Sequence, residues 1–353
     1  MRLSDIDFMN PPSRRARIRI DDVAKLAGVS PATVSRVMSG SRPVSAGVRD
    51  RVLAAALRFD YKPSQLARNL RRGQADTVGV LVADIENPHF SAMVRAIEEA
   101  LYERGTRVLL CDTAEDTQRQ AACLEVMEAE RVMGVVISPT ADGDGDAAIS
   151  HLIDLGVPVV AFDRPVKDPR ADAVIADSFA AIARGAQLLV DSGRRHIGFI
   201  GGNELIWTAA ERLSGYQSTV AEAGLEPIMA VGDFTVEGGR LATERLVADN
   251  PDLDGLVVAN NQMTIGALQA LRAGQIALPE QVGVVAFDDP PWARLLTPSL
   301  TTLAQPLREM SRAAVDRLFL RMADRELPPE RICFECRLEI RESSRGLSQR
   351  IGG

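Results

Sequence analysis

Seven short apolar runs, separated by stretches long enough for helices, govern what this chain can fold into. Thr77-Val-Gly-Val-Leu-Val-Ala, Val108-Leu-Leu-Cys, Gly134-Val-Val-Ile-Ser and Val157-Pro-Val-Val-Ala-Phe form a first set. Ile197-Gly-Phe-Ile-Gly, Gly255-Leu-Val-Val-Ala and Gly283-Val-Val-Ala-Phe form a second. Runs without polar alternation are strands buried on both faces, and strands that alternate with helices pair in parallel. Two sets therefore predict two α/β lobes with parallel sheets. Ligands of such sheets collect beyond the carboxyl ends of the strands. The residues that follow the runs are thus the ones to inspect: Asp84 to Phe90, Asp112, Ser138, Asp163-Arg164, Gly202 to Arg212, Asn260-Asn261 and Asp288-Asp289.

Charge divides the chain unevenly. Residues 1–73 hold 15 Lys or Arg against 6 Asp or Glu, a net of +9 on a chain of formal charge −7, so the remainder carries −16. Cations gathered on one module suit binding to a polyanion through phosphate neutralisation and counterion release. A length of 353 residues is too great for one ordinary core. No window approaches a membrane span, and Met1 to Ile20 has no apolar signal region, which predicts a cytoplasmic protein without a membrane partner. Four cysteines are no disulfide framework. Cys333 and Cys336 fall in an alternating stretch from Arg331 to Arg341 that reads as one strand, where residues three apart point to opposite faces. With three histidines in the chain and no second Cys pair, neither a metal nor a cofactor is expected.

The basic module has a readable order. Asp21-Asp22 precede Val23, Ala24, Leu26 and Ala27, and acidic residues suit the positive end of a helix, so a first helix starts at about Asp21. Gly28 permits a left-handed turn, and Ser30-Pro31 supplies an N-cap followed by proline at the first helical position. The second helix carries Val34, Val37 and Met38 inward, with Ala32, Thr33 and Arg36 sharing the outer face. Ser45 is expected to cap a third helix whose Val48, Val52, Leu53, Ala56 and Leu57 close a small core. A helix entered by a tight glycine turn fits the major groove of DNA.

From Asp22 to Gly40, the text Asp-Val-Ala-Lys-Leu-Ala-Gly-Val-Ser-Pro-Ala-Thr-Val-Ser-Arg-Val-Met-Ser-Gly resembles the signature of the lactose/galactose repressor family of bacterial regulators. The resemblance continues through Asp84-Ile-Glu-Asn-Pro-His-Phe, Arg212-Leu-Ser-Gly-Tyr and Leu296-Thr-Pro-Ser-Leu-Thr-Thr-Leu-Ala-Gln-Pro, covering about Ile18 to Ser344. It implies an N-terminal all-α helix-turn-helix head with a hinge helix, followed by a two-lobed body like the periplasmic binding proteins. Pro31 and Ala32 stand where the family chooses its operator, and Thr33 and Arg36 where it contacts backbone or bases. Ser30 or Thr33 can hold phosphate, and Ala32 can meet a thymine methyl. The segment Ser64 to Leu70 matches the family's hinge helix, which places Leu70 as a minor-groove wedge beside Arg71. By position, Arg212 and Asp288 would be the main effector-binding pair. Asn260, Trp207, Thr208, Phe234, His89 and Phe90 would line the cleft, and Asp163 follows the fourth run. Asn261 stands where the family commonly has Asp.

These readings give a domain plan: a basic leader at 1–17, the head at 18–62, the hinge at 63–73, the effector-binding body at 74–345 and a tail at 346–353. Within the body, lobe 1 takes about 74–175 and 304–333, and lobe 2 about 176–303 and 334–345. No nucleophile motif and no phosphate-binding glycine loop is present, which argues against an enzyme. A sugar carrier would share the body but leaves the head unexplained. The expected function is a repressor that binds a palindromic operator in double-stranded DNA as a homodimer, controlled by a sugar or sugar-derived effector.

Overall fold

Hydrophobic alternation places each strand of the body between two helical layers. Val78, Val80 and Val82 of β1 (Thr77–Val82) bury into one apolar cluster, while Leu81 buries into another on the opposite face. Side chains alternate across a strand, so a continuous apolar run serves both faces at once. Each such fully buried side chain contributes about 1.5–3 kcal/mol. The computed structural model describes residues 18–39, 43–61, 76–140 and 146–346, in two compact units divided at Gln74/Ala75. The hinge segment with Leu70 and Arg71, the leader 1–17 and nearly all of the tail lie outside the described residues.

The first unit contains α1 (Ile20–Ala27), α2 (Pro31–Ser39) and α3 (Ala46–Arg58). Asp22 caps α1 by accepting from the Arg19 amide at 2.8 Å, and Gly28 ends it at φ 65°. That left-handed turn admits Val29 to the core and sets the entry of α2. The core consists of Val23, Val34, Val52 and the alanines Ala24, Ala27, Ala55 and Ala56. Leu53 and Leu57, expected from the sequence to close the core, are exposed, and so is Leu26. Ser45 precedes α3 as expected, but its side chain makes no capping bond.

The second unit is two six-stranded sheets. Besides β1, the first contains β2 (Arg107–Asp112), β3 (Val135–Ile137), β4 (Val159–Phe162), β5 (Asp172–Ala176) and β11 (Arg331–Phe334), in the order β11-β5-β4-β3-β1-β2 and parallel throughout. The second contains β6 (Ile197–Gly201), β7 (Ile228–Val231), β8 (Gly255–Val258), β9 (Gly283–Phe287), β10 (Thr301–Ala304) and β12 (Arg337–Glu339), in the order β12-β10-β9-β8-β6-β7. It is parallel except for β12, which runs antiparallel to β10. Helices α4 (Pro88–Tyr102), α5 (Thr117–Ala129), α6 (Asp146–Asp154) and α11 (Leu307–Ala323) cover the first sheet; α7 (Ser178–Asp191), α8 (Trp207–Glu222), α9 (Val236–Asp249) and α10 (Asn261–Ala273) cover the second. The chain passes between the sheets after β5, after β10 and between β11 and β12.

The stretch from Arg331 to Arg341 is therefore not one strand. It is two short strands in different sheets, with Cys333 exposed on β11 and Cys336 buried at the crossing. The change of sheet, not strand alternation, separates the two thiols. Strands β5, β7 and β10 add to the seven apolar runs. Among the described residues no helix is long and apolar enough to cross a membrane.

Candidate functional site

The carboxyl ends of both sheets converge on one cavity of about 270 Å³. Its wall comes from the turns that follow β1, β2, β4, β6, β7, β8 and β9, and from Gln305 at the second crossing. These turns are conformationally unusual. Nine described non-glycine residues have positive φ, and six of them, Ala114, Glu115, Asp163, Asp233, Phe234 and Asp288, line this cavity. Left-handed backbone costs about 1–3 kcal/mol per residue and clusters at binding and switch sites, so this cavity is the candidate site of the body. Gly202 serves the same end: a Cβ there would lie 2.4 Å from the Phe234 ring, which rests on bare backbone.

Arg212 reaches the cavity from α8 with its side chain buried. Its Nη1 donates to the Ala259 carbonyl at 2.8 Å, its Nε to Ser178 Oγ at 3.3 Å, and the guanidinium lies 3.8 Å from the Phe287 ring centroid. Burial lowers its pKa, opposed by the charges of Asp288 and Asp163. Asp288 directly follows β9 and accepts from Gln305 Nε2 at 2.9 Å. Asn260 caps α10, accepting from the Met263 amide at 2.8 Å while its Nδ2 donates to the Phe234 carbonyl at 3.3 Å.

His89, the second residue of α4, lies between lobes. Its Nε2 is 3.6 Å from Asp163 of the first lobe and its Nδ1 is 3.7 Å from Asp288 of the second, with Gln305 Nε2 3.2 Å from Nδ1. Burial acts to lower its pKa, but Asp163 and Asp288 outweigh both burial and the repulsion from Arg212, so it is raised above 6.5. The same pairing holds Asp163 below the usual carboxylate range despite its burial. A raised histidine contributes stability that is complete below the unfolded value of 6.5 and is lost as pH rises through the folded value. The melting-temperature gap between the native protein and His89→Gln should therefore be widest near pH 6 and shrink at higher pH. A gap that widens with pH would refute this pairing.

Of the effector-site candidates, the structure brings His89, Phe90, Asp163, Thr208, Arg212, Phe234, Asn260 and Asp288 onto the cavity. Trp207 is not on its wall; the ring packs on Ala161, Ala173 and Ile175 of the first lobe. Consecutive helical residues point about 100° apart, so Thr208 faces the cavity and Trp207 turns to the neighbouring lobe. Asn261 donates to Asn87 Oδ1 at 3.0 Å across the lobes. The sequence reading missed Glu115, which holds Arg164 in a bidentate pair at 2.9 and 2.7 Å. Asp84, singled out only for following the first run, and Asp233 and Gln305, which were given no role, also line the cavity.

In the head, Ser30 Oγ accepts from the Thr33 amide at 3.2 Å and lies 3.0 Å from Thr33 Oγ1. Ser30, Pro31, Ala32 and Arg36 are exposed and Thr33 is half-buried, forming one outer face, while Val34 is buried. An exposed helical face that carries hydroxyls and an arginine is of the kind that enters a major groove.

Residues 19–64 match the family described as bacterial regulatory proteins, lacI family, and residues 186–344 match the periplasmic binding protein-like domain. The ribose operon repressor of Escherichia coli (strain K12) is 33% identical over 314 residues, spanning 88% of this chain and 95% of that one. The HTH-type transcriptional regulator CelR of Thermobifida fusca is 33% identical over 351 residues, spanning 94% and 99%. The lac repressor dimer bound to operator and the anti-inducer ONPF superposes with a TM-score of 0.85 at 25% identity, covering 93% of this chain and 99% of that one. With its head, its two-lobed body and relatives matched over nearly their full length, the chain belongs to the LacI family of bacterial regulatory proteins and is a transcriptional regulator.

Proposed function

We propose that this regulator is a repressor whose grip on a palindromic operator is set by a sugar bound in the cleft between its lobes. The observation that carries the reading is the cavity whose strained wall residues come from both lobes: a ligand touching Asp163 and Asp288 together would fix one lobe against the other. Through the outer face of α2, Arg36 pairs with guanine or phosphate and Ser30 and Thr33 hold backbone, with Pro31 and Ala32 at the helix start. Segment 63–73 is the hinge, with Leu70 wedging a base step and Arg71 on phosphate. The ribose operon repressor by name, and the lac repressor with its operator and anti-inducer, support the reading as relatives.

Two copies suit an inverted repeat. Edge strand β7 exposes Met229 and Val231, and Leu241 of α9 is exposed too; on the first lobe, Tyr102, Leu110 of edge strand β2 and Val126 are exposed. These apolar side chains are suited to a second copy. The reading assigns no catalysis to the cleft. Burial pushes the nearby Cys336 thiol up to about 12, which keeps it protonated and a poor nucleophile.

Selection from a random DNA pool tests the reading without any ligand. The enriched sequences should share an inverted repeat, and affinity for it should fall about 10³–10⁵-fold between 50 and 200 mM salt if roughly six to ten phosphates are contacted. Leu70→Ala should weaken the selected site and spare nonspecific DNA. A pool that returns no common sequence would refute the repressor reading.

A further inference from the structure

Charge on the cavity wall narrows what the effector can be. Five carboxylates line it, Asp84, Glu115, Asp163, Asp233 and Asp288, against the cations Arg164, Arg212 and His89. Each cation is already matched from the protein. Glu115 takes the Arg164 guanidinium with two hydrogen bonds, and Asp163 and Asp288 flank both His89 and Arg212. Asp84 and Asp233, one from each lobe, have no cationic partner among the described residues, so the wall has a surplus of negative charge.

The other common receptor for an anion, a helix N-terminus, is taken in part by cap side chains, although α8, whose Thr208 also lines the cavity, has none. Helices α4, α9 and α10 open onto the cavity, and in each one first-turn amide, that of His89, Gly238 or Met263, already donates to Asn87 Oδ1 at 3.0 Å, Thr235 Oγ1 at 2.9 Å or Asn260 Oδ1 at 2.8 Å. An entering phosphate or carboxylate would have to share Arg164 and Arg212 with the carboxylates that already flank them, and would meet two more in Asp84 and Asp233. An uncharged hydroxylated ligand meets the reverse situation. His89 Nε2, Gln305 Oε1 and Arg164 Nε are buried without a hydrogen-bond partner, and sugar hydroxyls both donate and accept. Phe90 and Phe234 offer flat apolar faces to ring C–H groups. A volume of about 270 Å³ fits one sugar ring and lies below the roughly 300–1,000 Å³ of drug-sized sites.

We infer that the cleft is charge-selective: it accepts a neutral sugar of one ring and rejects the phosphorylated or carboxylated forms of that sugar, with Asp84 and Asp233 as the specificity-determining residues. The inference rests on the effector reading of the cleft, yet its failure is separable, because the DNA selection above uses no sugar.

The test is thermal shift and calorimetry on the full chain at pH 7.5. The panel holds free aldopentoses and aldohexoses, with the 5- or 6-phosphate and the aldonic acid of each. At least one free sugar should raise the melting temperature, and its phosphate and its acid should bind at least about tenfold more weakly, since like charges brought together at a binding site are costly. That gap should narrow at high salt and in the Asp84→Asn, Asp233→Asn double variant. A phosphate or acid that binds as tightly as its parent sugar would overturn the charge filter. So would a panel in which no free sugar shifts the melting temperature, even if an inverted repeat has been selected.

Discussion

Arg212→Ala should abolish the effect of sugar on operator binding. The guanidinium is buried against the Phe287 ring, tied to the Ala259 carbonyl, and set between Asp163 and Asp288. Its Nη2 makes no hydrogen bond among the described residues and remains for a ligand hydroxyl. Removing a buried charged partner costs about 2–5 kcal/mol of binding, which puts sugar affinity beyond reach at ordinary concentrations. Operator affinity without sugar should stay near the native value, because the head is a separate unit with its own core. The variant should melt lower, since the Ala259 carbonyl loses its donor at about 1–3 kcal/mol. Anisotropy titrations run well below that melting point keep the two effects apart. A native response to sugar would place the effector site elsewhere.

The largest loss of stability is expected at Asp172→Asn. Its carboxylate is fully buried at the start of β5 and accepts from Arg317 Nε at 2.9 Å, Arg321 Nε at 2.6 Å, Arg321 Nη2 at 3.1 Å and the Glu330 amide at 2.7 Å. One charge thus ties α11 and the approach to β11, the two elements that return from the second lobe, to β5. Breaking a buried pair on one side leaves uncompensated arginines, at a cost of about 3–5 kcal/mol. At roughly 2–4 °C per kcal/mol the body should melt about 10 °C lower. A triple variant with apolar residues at 172, 317 and 321 should recover much of that loss, because it leaves no charge stranded. A melting temperature unchanged within error in Asp172→Asn would contradict the account of this network.

Strands buried on both faces were legible because they need no register: Val80 and Leu81 serve opposite clusters and both are apolar. Strands that depend on their neighbours were not. β5 opens with Asp172, which is tolerable only because α11 supplies two arginines. Edge strand β7 is half-exposed along its length, and β10 begins with two buried threonines. The head misled in the opposite sense, since its alanine core excludes Leu53 and Leu57 although their spacing is helical. Site residues that directly follow apolar runs, such as Asp163, Asn260 and Asp288, could be found by position. Glu115 could not, because Asp112-Thr-Ala-Glu-Asp reads as an ordinary acidic turn, and its left-handed backbone and its grip on Arg164 exist only in the folded chain.

Reciprocity supplies the most direct test of ligand control. If sugar in the cleft changes operator affinity by some factor, operator must change sugar affinity by the same factor, typically about 5- to 150-fold. Calorimetric titration of the sugar that emerges from the panel, into free protein and into protein saturated with the selected inverted repeat, measures that factor. The account predicts two affinities that differ by the ratio seen in operator titrations with and without sugar. Identical sugar affinities in the two states would show that the cleft and the reading head are not coupled.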